Sequence, residues 1–112
     1  MKIFDYRDVP AQKAEEGAKD ITVRWLITKD MGAETFAMRR FKMDVGGYSA
    51  YHVHDWEHEV YILKGKGVVK SEKGDIPFSP DTVVFIPPNE KHQFINTGDE
   101  PVVFLCLIPY KG

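Results

Sequence analysis

From residue 21 onward the apolar residues recur with a period of two, and that alternation limits what this chain can become. Residues 21–28 set Val23, Trp25 and Ile27 against Thr22, Arg24 and Leu26. On a strand, residues i and i+2 share a face. Residues 35–43 form a second such run. Residues 51–54 and 58–63 follow on either side of the short turn Asp55-Trp56-Glu57. Gly65 and Gly67 mark a turn into Val68-Val69-Lys70, and residues 82–86, 93–96 and 102–108 complete the set. Short strands punctuated by Gly, Pro and Asn predict an all-β sandwich or small β-barrel. No stretch of twelve residues carries a helical face. Residues 8–20 read as a polar connector holding at most one helical turn. We therefore divide the chain into an N-terminal arm or edge segment, residues 1–20, and a single barrel, residues 21–112.

A chain of 112 residues closes one core and little more. The formal charge is -2, and no Lys/Arg run is longer than Arg39-Arg40, so a nucleic-acid partner is not expected. The longest apolar run, residues 102–109, is too short to span a bilayer as a helix. The first twenty residues are charged and do not read as a signal peptide. One cysteine forms no intrachain disulfide. The expectation is a soluble cytoplasmic protein without a membrane partner. Val102-Val103-Phe104-Leu105-Cys106-Leu107-Ile108 and Val60-Tyr61-Ile62-Leu63 are apolar on both faces, and such strands need a second cover. A second copy of the chain supplies it in a homodimer; a second sheet or the N-terminal segment is the alternative.

All four histidines fall in two short islands. His52, His54 and His58 lie within seven residues, and His92 follows Pro87-Pro88-Asn89. Histidine is the commonest metal ligand. On a strand His52 and His54 point the same way, roughly 6.6 Å apart, and can converge on one ion. The turn at residues 55–57 can return His58 beside them. His92, Phe94 and Asn96 share a face of a later strand. A rival reading places His54 and His58 at i, i+4 on a helix, as in zinc hydrolases, but those carry Glu where Asp55 stands and the flanks here are strand-like.

These residues resemble the two conserved boxes of the cupin superfamily. Gly46, His52, His54, position 58 and Gly65 fall at the spacing of the first box. Asp81, Pro87, Asn89, His92 and Asn96 fall at that of the second, with Asp81 and Asn89 replacing its two glycines. Asp and Asn are the non-glycine residues that best tolerate left-handed backbone, so the turns survive. The resemblance implies a double-stranded β-helix, a jelly-roll-like cupin. Trp56-Glu57-His58-Glu59 followed by residues 60–65 is similar to small single-domain cupins with a four-histidine site, a group associated with manganese and oxidative chemistry. It implies His52, His54, His58 and His92 as ligands of a divalent transition metal, with Mn or Fe favoured. Imidazole donors alone also allow Zn, Cu or Ni. The box spacing admits Glu59 in place of His58; the two face opposite sides of a strand, and the six-residue gap to Gly65 favours His58.

Four neutral imidazoles leave the charge of a divalent ion uncompensated, so the site should attract a small anionic or phenolic guest. Arg39, Trp56, Phe94, Phe104 and Cys106 are candidates to line its cavity. Arg39 or Arg40, on opposite faces of their strand, could hold the anion. The expected function is a metal-dependent oxidoreductase of dioxygenase type; the alternatives are a non-catalytic module binding a metal or small ligand, and a Lewis-acid isomerase or lyase.

Overall fold

The alternation becomes nine strands in a computed structural model that describes residues 1–110. They are β1 (Gln12–Lys13), β2 (Lys19–Ile27), β3 (Phe36–Tyr48), β4 (His58–Lys64), β5 (Gly67–Ser71), β6 (Gly74–Phe78), β7 (Val83–Ile86), β8 (His92–Asn96) and β9 (Val102–Pro109). One curled sheet holds them in the order β6-β5-β8-β3-β9-β4-β7, with β2 also on β3 and β1 on β2. The pairings are antiparallel. The all-β expectation holds. The only helical residues among those described are two short 3-10 turns, Tyr6–Asp8 and Lys29–Met31.

Strand β3 makes the sheet curl. Its first part runs between β2 and β9, and its last residue, Tyr48, pairs with Ile95 of β8. Between them the chain passes Gly46 and Gly47. A Cβ on Gly47 would stand 2.9 Å from the carbonyl oxygens of Lys19, Asp20 and Asp44, so no larger residue allows this approach of the two backbones. The inward residues of the curled sheet form the core: Ile21, Met43, Val60, Ile62, Phe78, Ile86, Phe94, Val102, Phe104 and Cys106. An aromatic file crosses it. Phe104 stacks on Phe41 at 5.0 Å and on Phe94 at 4.9 Å, joining β3, β9 and β8. Burial of each large side chain stabilises by about 1.5–3 kcal/mol, and each ring pair adds about 0.5–1.5 kcal/mol.

Three details differ from the sequence reading. Residues 51–54 are not a ladder strand: they make a single bridge, His52 to His92. Strand β6 was not expected, because Pro77 and the polar start of the segment suppress the signal. Proline is tolerated at a sheet edge, where its missing N–H costs no ladder bond, and β6 is such an edge. The connector is shorter than expected, since β1 pairs with β2 as a hairpin and β2 begins at Lys19.

On the outer face, β4 alternates as its sequence does not. Val60 and Ile62 are buried, whereas Tyr61 and Leu63 are exposed, as are Val83 and Phe85 on β7. The N-terminal arm lies over β2 and β3 instead, where Arg24 donates to the Val9 carbonyl at 2.5 Å and Arg40 sits 3.8 Å from the Tyr6 ring centroid.

The turn after β8 is pinned by one buried amide. Asn96 Nδ2 donates to the carbonyls of Met43, Asp44 and Glu100, and Asn96 Oδ1 accepts from Gly98 N–H at 2.9 Å. Removing it leaves buried carbonyls without a donor, which costs about 1–3 kcal/mol. Asn96→Ala should lower the unfolding free energy by that amount in urea titration.

Candidate metal centre

The segment carrying the first two histidines is tied to β8 rather than to a neighbouring hairpin strand. Ser49 N–H donates to the Phe94 carbonyl at 2.9 Å, and Phe94 N–H donates to Ser49 Oγ at 2.8 Å. His52 and His92 exchange backbone hydrogen bonds at 3.1 and 3.0 Å. Asn89 N–H then donates to the His54 carbonyl at 2.7 Å. Asn89 and Asp81 have φ of 67° and 70°, so both stand in the left-handed region at the positions where the resemblance called for glycine.

These constraints gather the histidines. His52, His54 and His58 each offer a ring nitrogen, and the three lie within 4.8 Å of one another. Two nitrogens bound to one ion at about 2.1 Å stand at most about 4.2 Å apart, so the cluster is close to a coordinating arrangement. The His92 ring centroid lies 4.9 Å from those of both His52 and His58. His58 is buried at the start of β4 and Glu59 is exposed, so the carboxylate alternative does not face the cluster. No helix carries His54 and His58, which removes the hydrolase-like reading.

The donors suit a cation. His92 Nδ1 lies 2.9 Å from the Glu90 carbonyl, which can only accept; Nδ1 therefore carries the proton and Nε2 keeps its lone pair. His58 Nδ1 is buried without a hydrogen-bond partner. Burial pushes the His58 pKa down to about 3, helped by the neighbouring charges of His92 and Arg39. Burial also lowers those of His54 and His92; around His54 the charge of His52 adds to it, and around His92 the Glu90 carbonyl opposes it. Neutral imidazoles held together are the form a metal takes.

Beside the cluster lies a cavity of about 180 Å³. His52 and His58 line it with Arg39, Phe94, Phe104 and Cys106, four of the five expected lining residues. Ile21, Val23, Trp25 and Phe41 complete an apolar wall. Arg39 sits 4.9 Å from the Phe41 ring centroid and 5.3 Å from that of Trp25. Its Nη2 donates to Cys106 Sγ at 3.1 Å, and its buried Nε has no partner. Arg39 makes no ion pair among the described residues. Burial raises the Cys106 thiol pKa, outweighing the nearby guanidinium, so the sulfur stays protonated. Trp56 is placed elsewhere: it does not line this cavity but stacks on His54 at 4.3 Å with 13° between the planes.

One residue escaped the sequence reading. Glu15, just after β1, places Oε1 2.7 Å from His52 Nδ1. The bond to His52 lowers its carboxyl pKa. The only local signal was the turn-forming Glu15-Glu16-Gly17, which says nothing of a partner 37 positions away.

A curled antiparallel sheet holding a histidine cluster beside a small cavity defines a β-barrel with a candidate metal centre. The cupin domain Cupin_2 matches residues 39–108, and the chain belongs to that family. It is 35% identical over 104 residues to the glucose-6-phosphate isomerase of Pyrococcus abyssi, covering 88% of this chain and 50% of the isomerase. The chain thus spans about half the length of that relative. It is 31% identical to the oxalate-binding protein of Thermotoga maritima, covering 82% of this chain and 78% of that protein. Among solved structures, the polyketide cyclase RemF of Streptomyces resistomycificus superposes with a TM-score of 0.93 at 33% identity, covering 99% of this chain and 80% of that one.

The depressed histidines give the metal-free protein a defined acid sensitivity. In the unfolded chain they protonate near pH 6.5, while in the fold His54 and His92 are shifted below it and His58 stays neutral down to about pH 3. The unfolded state then binds more protons, so stability falls as pH drops. Glu15, also lowered, acts in the same direction below its ordinary value of 4.5. The thermal midpoint of metal-free protein should decline steadily from pH 6.5 to pH 4, and His58→Gln should flatten the slope. A midpoint constant over that range would contradict the assignment.

Proposed function

We propose that this cupin is a metal-dependent enzyme acting on a small anionic molecule of enolic or phenolic type. The observation that carries the reading is the guanidinium of Arg39, which makes no ion pair among the described residues, keeps a buried Nε without a partner and lies against Trp25 and Phe41 in the cavity that His52 and His58 also line. His52, His54, His58 and His92 would hold a divalent transition metal, with Mn or Fe favoured by the resemblance. When bound, such an ion supplies Lewis-acid or redox chemistry.

The chain's own residues suggest the guest. Phe41, Phe94, Phe104 and Trp25 give the cavity an apolar aromatic lining, which suits a flat molecule. Arg39 donates to an oxygen that carries negative charge, which the neutral imidazoles leave free to approach. A sugar phosphate suits this lining less well, because Arg39 and Lys13 are its only cations. The similarity to a polyketide cyclase supports an enolisable, ring-forming substrate and Lewis-acid proton transfer. A dioxygenase-like oxidation of the same class of molecule is the second reading, favoured by a donor set of nitrogens alone, which invites a chelating catecholate. A non-catalytic binding module would use the same contacts without turnover.

Turnover of 1,3-diketones and catechols by metal-loaded protein, with and without oxygen, separates these readings. We expect reaction without oxygen uptake. Oxygen consumed in step with substrate would establish the oxidative reading, and no turnover of any compound would leave the binding module. Arg39→Met should raise KM about 10- to 100-fold, the loss of one charge-assisted hydrogen bond, with metal content unchanged.

The protein is proposed to act in the cytoplasm as a homodimer. In the ladder, exposed Val83 lies opposite exposed Tyr61, which lies opposite half-buried Leu105, so an apolar strip open to solvent on β7 and β4 continues onto β9. A second copy is the simplest cover for it. Sedimentation should give a dimer at micromolar concentration, and Tyr61→Asp with Phe85→Glu should give a monomer. A monomeric wild type would refute the dimer.

A further inference from the structure

We propose that Glu15 is a positioning residue of the metal centre, delivered by the N-terminal hairpin to fix the ring of His52. The inference rests on the reading that the histidine cluster binds metal. Glu15 lies outside the stretch that matches the cupin domain, residues 39–108, so the core barrel does not supply it.

Several contacts bring it there. Gln12 pairs with Val23 and Lys13 with Thr22, and Ala14 N–H donates to the Ile21 carbonyl at 3.2 Å. The hairpin then turns at once: Ala18 N–H donates to the Glu15 carbonyl at 3.2 Å, with Gly17 at a φ of 90°, a left-handed position that glycine alone takes without strain. Arg24, by its bond to the Val9 carbonyl, holds the preceding arm against β2. Glu15 is thereby the first residue of a tight turn at the rim of the cavity, with its carboxylate 2.7 Å from His52 Nδ1.

The chemistry of that contact is specific. A carboxylate accepts, so the proton sits on His52 Nδ1 and the lone pair on Nε2. Metal-bound histidines commonly give their second N–H to a carboxylate, which orients the ring and raises its basicity. Here the carboxylate does more, because the four proposed ligands are neutral. Glu15 places one negative charge a single ring away from the ion without occupying a coordination position. His92 shows the uncharged version of the arrangement, with the Glu90 carbonyl in the same role. The site would thus keep its positions for a chelating guest while half of the ion's charge is balanced from outside.

Two measurements on the full chain test this. The first is the dissociation constant for Co²⁺, by chelator competition, in wild type, Glu15→Gln and Glu15→Ala. We expect Glu15→Ala to bind about 10- to 100-fold more weakly, with Glu15→Gln in between because its amide oxygen still accepts. The second is the ¹⁵N NMR signature of His52 in metal-free protein. Wild type and Glu15→Gln should show the Nδ1–H tautomer, and Glu15→Ala a mixture. Glu15 is half exposed, so these variants should fold, and their thermal midpoints check it. An unchanged tautomer in Glu15→Ala overturns the proposal, as does unchanged Co²⁺ affinity. A loss of binding as complete as that of His52→Ala also overturns it, by making Glu15 a ligand. If wild type takes up no Co²⁺, the metal reading itself fails, and the tautomer alone decides whether Glu15 positions His52.

Discussion

The two backbone hydrogen bonds between His52 and His92 are the constraint on which the rest of this structure turns. They join a segment that belongs to no regular strand to the middle of the sheet. With Ser49 bonded to Phe94 one step earlier and Asn89 to His54 one step later, the segment has no freedom to lift away. The same bonds set His52 beside His92, while the ring of His54 stands 5.4 Å from that of His58. A break there would both open the sheet and scatter the histidines.

The price of this arrangement is a group of polar rings in a core otherwise filled by Phe94, Phe104, Ile62 and Val102. Burying imidazoles is unfavourable, most of all for His58, whose Nδ1 has no partner, and the depressed pKa values of His58 and His92 express that cost. A bound cation reverses the sign, since it satisfies the lone pairs that protein groups do not reach. Ligands that bind only the native state stabilise it, so site and fold would be coupled: the residues that weaken the barrel alone strengthen it when loaded. The aromatic file and the Asn96 pin serve to hold the barrel closed around that mismatch.

Much of this was legible in the sequence. Period-two alternation identified β2 and β3, and short apolar runs bounded by Gly, Pro and Asn identified β4, β7, β8 and β9. The spacing from Gly46 to Gly65 and from Asp81 to Asn96 marked the stretch that folds around the histidines, and the opposite orientations of His58 and Glu59 followed from strand geometry. What stayed hidden has physical reasons. Strand β6 is an edge, where burial is slight and Pro77 is harmless, so no pattern is imposed. Residues 51–54 alternate like a strand but are held by β8 at one bridge only. Trp56 was expected at the cavity and packs on His54 instead, since a ring at a hairpin tip can turn to either side. Glu15 was invisible because a single side-chain contact across 37 residues leaves no periodic trace.

The proposed metal centre draws four imidazoles from two distant islands. X-ray absorption of the metal-loaded protein measures the shell directly. The account predicts four imidazole rings, with oxygen completing the coordination and no sulfur at about 2.3 Å. Three imidazoles or fewer, or a sulfur scatterer from Cys106, would contradict it.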